Sequence, residues 1–409
     1  MKKILVLLFL FLCGTVSGEV FNAGEVTTFV SPDSSYSQIA VFIDGAASSL
    51  YVNVYTFDSP LIADKIVEAH ERGVDVVVLV DGSPVGGISE GEWTALNNMS
   101  GSGIPVYLWD DADLGFNHAK YVVRDNASVL VATENLGTTG FPKPGTSGNR
   151  GWGAIVAGES AAYFAELFFE DVESGKQVNF TGESPLVFYP EAGGYQSQFE
   201  PEVFHGNFTA VPVVAPENAV DAILDLIDSA TSSLYVEEFY VYKYWGSKKK
   251  GYVPNPFLEA SIEAARQGVE VKILLDSTWY NIEEDDPTSN IRTVQYVNNI
   301  AKEEGLNLEA RLVDLDSTGF KKLHVKGVVV DSNAVFISSV NWNEHSPTKN
   351  REVGIIIYGE PAEYFSDVFI SDWEQKGGQE EEHERDYGMV LLVIPLGLAA
   401  ILLYLKRRR

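Results

Sequence analysis

The chain has 409 residues, 45% of them apolar, enough for two ordinary packed domains without help from disulfides or metals. Its single cysteine, Cys13, lies in an N-terminal apolar run. That excludes a disulfide framework and a Cys-based zinc site and, once the run is removed, a cysteine nucleophile. The formal net charge is −29. Six basic residues, Lys2, Lys3 and Lys406–Arg409, sit in the two end segments, so the stretch between them is more acidic still and repels a nucleic-acid backbone.

At the N-terminus, Lys2 and Lys3 precede the apolar run Ile4–Cys13, and Val16 and Gly18 are placed for cleavage after Gly18. This is the pattern of a secretory signal peptide over residues 1–18. Residues 26–176 then alternate between helix and strand. The pattern predicts an amphipathic helix at Ser37–Ala47, a strand at Leu50–Phe57 and a helix ending in Arg72-Gly73-Val74. A buried strand ending at Asp81, a strand pair around His118 and a closing helix at Ala161–Glu173 follow. Residues 177–209, rich in Gly, Pro and aromatics, read as a linker.

Residues 210–376 repeat the series, with a helix at Ala219–Thr231, a strand at Leu234–Val241, a buried strand ending at Asp276, strands around His324 and a helix at Pro361–Lys376. Gly377–Asp386 reads as an acidic stalk. Tyr387–Leu405 has the length and apolarity of a single transmembrane helix, and the basic tail 406–409 belongs on the cytoplasmic side. The two ends together place the repeats outside the cytoplasm, tethered to the cell membrane. Asn-x-Ser/Thr sequons at Asn98, Asn126, Asn179 and Asn207 are compatible with an exported glycoprotein.

The duplication is explicit in the letters. "IDGAASSLYVNVYTF" from Ile43 matches "IDSATSSLYVEEFYV" from Ile227 at an offset of 184. "HAKYVVRD" from His118 matches "HVKGVVVD" from His324 at 206, and "NRGWGAIV" from Asn149 matches "NREVGIII" from Asn350 at 201. The extra residues of the second half fall in Tyr240–Phe257, whose aromatics and Lys248–Lys250 suit either a loop meeting lipid headgroups or a solvated insertion. Gly115-Phe116-Asn117 and Thr278-Trp279-Tyr280 are further candidates to line a cleft. The fold class is α/β, two pseudo-symmetric domains, each a mixed sheet flanked by helices, expected as two sheets packed across a pseudo-two-fold axis.

His118 and Lys120 lie two apart, so on a strand they share a face, as do His324 and Lys326. Asp125 and Asp331, seven residues after each histidine, point the other way and suit a structural role. Thr133 and Asn135, and Ser339 and Asn341, follow at matched positions. Two lysines and two asparagines can hold the non-bridging oxygens of a phosphoryl group, with Thr133 and Ser339 in support. One imidazole can attack phosphorus and the other can protonate the leaving alkoxide. Each half has one such histidine, so the site must form where the halves meet. No metal-ligand cluster is evident and the chemistry calls for no cofactor.

"HAKYVVRD…ATEN" and "HVKGVVVD…SSVNW" resemble the two HxKx4Dx6GSxxN-type signatures of the phospholipase D superfamily, over roughly Val30 to Trp373. The resemblance implies that family's fold and a two-step phosphohistidine mechanism. It carries over to His118, Lys120, Asn135, His324, Lys326 and Asn341 as phosphate-site residues, and to Asp125 and Asp331 as the motif acids. The sequence departs from the signature at Ala132-Thr133, where Gly-Ser is usual, and at Gly151. In this family a carboxylate often orients a histidine. Glu352 fits that role for His324, but its counterpart Gly151 leaves His118 with only Glu134 or a more distant group. On this reading His118 is the nucleophile and His324 the acid; the reverse is also open.

The expected function is a phospholipase D-like phosphodiesterase acting on a phospholipid or related headgroup ester, by hydrolysis or phosphatidyl transfer. It needs no protein partner. Two rivals share the sequence: an exported metal-independent nuclease, and a binding protein on a decayed site.

Overall fold

The computed structural model describes residues 17–180, 194–247, 249 and 251–375. The first half contributes strands β1 (Phe21–Ser31), β2 (Ser49–Val54), β3 (Asp75–Asp81), β4 (Val106–Trp109), β5 (Lys120–Arg124), β6 (Ser128–Ala132), β7 (Gly151–Gly158) and β8 (Gly175–Val178). The second contributes β9 (Glu202–Ala215), β10 (Ser233–Glu238), β11 (Tyr244–Ser247), β12 (Gly251–Pro254), β13 (Glu270–Leu275), β14 (Leu308–Leu312), β15 (Lys326–Val330), β16 (Ala334–Ser338) and β17 (Glu352–Tyr358). The aliphatic segments β3 and β13 lie between parallel neighbours, where both faces are covered. The helices that feed them start on matched signals: Ser59 before Pro60 and Asn255 before Pro256, each side chain accepting a first-turn N–H.

Strand order is β14-β13-β10-β15-β16-β17-β9-β1-β7-β6-β5-β2-β3-β4-β8. Read outward from β9 and β1, the two halves repeat each other strand for strand, apart from β8 at one edge. The peptide bonds Ser31-Pro32 and Ala215-Pro216, one at the end of each central strand, are both cis.

This corrects the expectation of two separate sheets. Antiparallel pairing of β1 with β9, Val26 opposite Phe204, joins the half-sheets into one run of hydrogen bonds. Their inner faces still share a core. Trp152 packs on Phe365 at 5.1 Å between ring centroids, and Tyr235 stacks on Phe369 at 4.8 Å. These two phenylalanines come from the closing helix Pro361–Glu374; the first half's closing helix, Ser160–Glu173, adds Phe164 and Phe168. Two further apolar clusters lie on the outer faces, one per half. The halves pack into one compact unit ending at Gln375.

The linker is shorter than the composition suggests, because Lys176–Val178 pairs with β4 and β9 begins at Glu202. The aromatics read as irregular there include Phe204 and Phe208, which pair with β1. The second-half insertion folds as the separate hairpin β11–β12, with Tyr252 and Val253 exposed. Among the described residues no helix is long and apolar enough to cross a membrane. Tyr387–Leu405, the stalk, the basic tail, Lys248, Lys250 and residues 1–16 of the signal peptide lie outside the described residues. Of the sequons, Asn98 is committed within the fold, its amide donating to Asp64 at 3.1 Å.

Candidate active site

Each catalytic-type histidine enters its strand through backbone bonds to the other half. The His118 N–H donates to the Arg351 carbonyl and the His324 N–H to the Arg150 carbonyl, both at 2.8 Å. In return Arg351 N–H donates to Phe116 O and Arg150 N–H to Lys322 O, both at 2.9 Å. The residue before each histidine is fixed by its own half. Asp81 accepts the Asn117 N–H at 2.7 Å and Asp276 accepts the Leu323 N–H at 2.8 Å. The backbone of Asn117 thus serves the site while its buried side chain donates to Asn53, away from any cleft.

This crossing decides which carboxylate meets which histidine. Glu352 opens β17, beside the Arg351 carbonyl that holds His118. Its Oε2 lies 2.7 Å from His118 Nδ1, so Glu352 serves the histidine of the first half, not His324 as its place in the sequence suggests. Its Oε1 is occupied by Ser346 and by the Asn350 amide at 2.9 Å. Burial raises the Glu352 carboxyl, but His118 and Lys120 outweigh this and hold it below the usual range.

His324 is served by Glu134, whose Oε2 is 3.2 Å from Nδ1. This approach is not a hydrogen bond: Oε2 accepts the Asn149 amide at 3.1 Å, and His324 Nδ1 is buried without a hydrogen-bond partner. Glu134 stands where the second half has Val340, and Gly151 where it has Glu352. A Cβ at Gly151 would sit 2.4 Å from Glu134 Cγ. The missing carboxylate of the first half is thus replaced by one from the end of β6 that fills the space above the glycine.

The lysines are buried, and each donates to the carbonyl of its own histidine: Lys120 to His118 O at 2.7 Å, Lys326 to His324 O at 2.8 Å. An aromatic ring lies edge-on to each imidazole at 4.8 Å, Tyr55 for His118 and Phe239 for His324. These rings went unassigned in the sequence, although their identical position in the repeat marks them. Lys322 was also missed; two residues before His324 on the same run, it lies over the Phe239 ring at 5.2 Å. Phe116, its counterpart, packs against Tyr55 and His345. Trp279 is exposed and meets Tyr280, which touches Phe239, so this segment borders the His324 side.

Asn135 and Asn341 keep a buried, unbonded Oδ1 each. Asn135, Thr56, Asp58, Thr139, Lys322 and His324 line an open pocket. Thr133 and Ser339 also clamp neighbouring strands. Thr133 Oγ1 accepts the Trp152 N–H at 3.0 Å, and Ser339 Oγ accepts the Val353 N–H at 2.9 Å. Burial pushes both imidazoles below the ordinary histidine value; Glu352 partly offsets this at His118, whereas Lys326, Lys322 and Lys120 press His324 further down.

Asp125 and Asp331 take the structural role expected of them. Asp125 accepts the N–H groups of Ala47, Ser48 and Ser49, and Asp331 those of Thr231, Ser232 and Ser233, tying the turn before β2 and β10. The arginines that hold the histidines are themselves locked across the seam. Arg150 binds Asp33 of its own half at 2.7 Å and Asp372 of the other at 2.8 Å. Arg351 binds Glu217 at 2.7 Å and Asp171 at 2.9 Å in the same crossed manner.

A family described as the cardiolipin synthase, phospholipase D-like domain matches residues 39–171 and 223–373, once on each half. The chain belongs to the phospholipase D superfamily. A cardiolipin synthase of Clostridium perfringens is 23% identical over 354 residues, 82% of this chain and 67% of its own length. The DISARM protein DrmC of Bacillus paralicheniformis is 27% identical over 154 residues, 37% of this chain and 54% of that protein, so there the superfamily likeness spans about half the relative. Phosphatidylserine synthase of Haemophilus influenzae superposes with a TM-score of 0.59 at 17% identity, over 85% of each chain, a likeness of superfamily fold alone.

Proposed function

We propose that the protein is a phosphodiesterase or phosphatidyltransferase of phospholipids that works through a covalent phosphohistidine at the seam. The supporting observation is the crossed carboxylate pair, which brings to each histidine a carboxylate from the opposite half. Glu352 accepts the Nδ1–H of His118 and so leaves the Nε2 lone pair free for phosphorus. His118 Nε2 forms the P–N bond while the P–O bond to the leaving alcohol breaks, and protonated His324 gives that oxygen its proton. Neutral His324 then takes a proton from water or an acceptor alcohol, whose oxygen attacks phosphorus as the P–N bond breaks. A bound phosphodiester supplies the negative charge that raises both imidazoles and opposes the lysines. Lys120, Lys326, Asn135 and Asn341 hold its non-bridging oxygens.

Phospholipid is the substrate favoured by the matched family and by the cardiolipin synthase relative. We infer from the two ends of the sequence that the enzyme acts outside the cytoplasm, tethered by Tyr387–Leu405. The test is headgroup release from mixed phospholipid vesicles by the full chain in EDTA, beside His118→Ala and His324→Ala. Release lost in both variants is expected. Cleavage of single-stranded DNA with the same variant pattern, and no lipid turnover, would overturn the lipid assignment.

A further inference from the structure

The two sides of the seam match in backbone and differ in chemistry. Phe57 bridges Leu136 on one side as Val241 bridges Trp342 on the other. Around the first bridge Thr56, Asp58 and Thr139 line the open pocket, and Lys322 joins them from the second half. The repeat puts Tyr240, Tyr242, His345 and Phe116 at those four positions on the other side. There rings meet rings, Tyr240 with Tyr242 at 5.2 Å and Phe116 with His345 at 6.5 Å between centroids.

Two glycines keep the polar side open. A Cβ at Gly137 would lie 2.7 Å from Asp58 Oδ1, and one at Gly140 would lie 2.7 Å from Glu134 Oε2. The second half carries Asn343 and Ser346 instead, and both side chains are committed, Asn343 to the Tyr240 hydroxyl at 2.9 Å and Ser346 to Glu352. The polar groups around the open side are under-bonded. Asp58 Oδ1 accepts the Thr138 N–H at 2.9 Å, while Oδ2 has no partner among the described residues. Glu134 Oε1 and Asn135 Oδ1 are buried without one. Among the described residues the Lys322 ammonium has no hydrogen bond or ion pair, only the Phe239 ring at 5.2 Å. A ligand that satisfies this set must donate to the oxygens and accept from the ammonium. Hydroxyls do both, and a quaternary ammonium does neither.

In-line displacement puts the nucleophile and the leaving oxygen on opposite sides of phosphorus. Only one side of a pseudo-symmetric site therefore has to receive an alcohol. We propose that the Lys322 side is the one, and that Lys322 and Asp58 select a hydroxyl-bearing headgroup alcohol and hold it at His324 as it leaves. The inference rests on the phosphodiesterase reading and gives it a direction. His118, on the aromatic side, fills the opposite position as nucleophile.

The test is a competition within one membrane. Vesicles of equal parts phosphatidylglycerol, phosphatidylethanolamine and phosphatidylcholine are given to the full chain, and free glycerol, ethanolamine and choline are measured from the same reaction. Wild type is compared with Lys322→Met, Lys322→Phe and Asp58→Asn. A folding defect lowers all three products together, so their ratio reads selection alone. Wild type should release glycerol at least about tenfold faster than choline, with ethanolamine between them. The glycerol-to-choline ratio should fall about tenfold in each variant, as loss of a hydrogen bond to a charged group does. A ratio unchanged at either position, or choline released in excess by wild type, would overturn the inference and leave the phosphodiesterase reading standing. No product from wild type would instead overturn that reading, and the inference with it.

Discussion

Glu352 Oε2 and His118 Nδ1 are 2.7 Å apart although 234 residues separate them in sequence. The contact exists because β17 starts on the far side of the seam, where the Arg351 carbonyl already holds the His118 backbone. Glu352→Gln keeps the shape and removes the charge that fixes the imidazole tautomer. We expect kcat to fall by about 10²-fold or more with little change in KM. Trapping of the phosphoenzyme, which His118→Ala should abolish, separates this effect from loss of the nucleophile.

The exchange of Glu134 and Gly151 for Val340 and Glu352 makes a second prediction. Gly151→Ala puts a methyl 2.4 Å from Glu134 Cγ and must displace that carboxylate from His324. Activity should drop by about 10- to 100-fold in a folded protein. The double variant Glu134→Val, Gly151→Glu copies the second-half arrangement and should recover most of it. Headgroup-release rates read both effects.

Asp331 offers a pH-dependent stability test. Burial raises its carboxyl, but the donors on Thr231, Ser233 and Ser232 outweigh this and bring it to about 2. Its stabilisation is therefore present above the unfolded carboxylate value near about 4 and is lost as pH falls towards about 2. Asp331→Ala should lower stability by about 1–2 kcal/mol at neutral pH, as loss of a capping acceptor does, and flatten the acid side of a Tm-against-pH curve.

Arg150 carries charge compensation for two buried acids from opposite halves. Arg150→Ala strands Asp33 and Asp372 and should cost about 3–5 kcal/mol. Thermal unfolding measures the loss.

Burial depresses both imidazoles, so the nucleophile stays neutral to lower pH than a free histidine does. The acid limb of kcat/KM should lie below about pH 6.5. A pH–rate profile with its acid limb above that value would contradict this.

Much of this was legible in the letters. Period-two spacing puts His118 with Lys120, and the repeat offsets predict matched strands, which the mirrored order bears out. A structural rather than substrate role for Asp125 was legible, although its place is the turn just after β5, at a positive φ, and not the far face of the strand. Pairing across the seam was not legible, because offset arithmetic assigns Glu352 to the histidine of its own half while backbone bonds carry it to the other. The bonds of the Thr133 and Ser339 hydroxyls to Trp152 and Val353 were not legible either, because they depend on which strand lies alongside. Lys322 escaped because repeat matching rewards likeness, and it stands where the halves differ.

Because each half lends its carboxylate away, the two cannot drift independently. A substitution at the end of β6 is felt at the histidine of the other half, and only a compensating change at the start of β7 in the same gene can answer it. Descent from a duplicated ancestor would thus leave the halves bound as a single heritable unit, and a recombinant that mixed one half from each of two diverged copies could lose a histidine's partner while every motif residue remained in place.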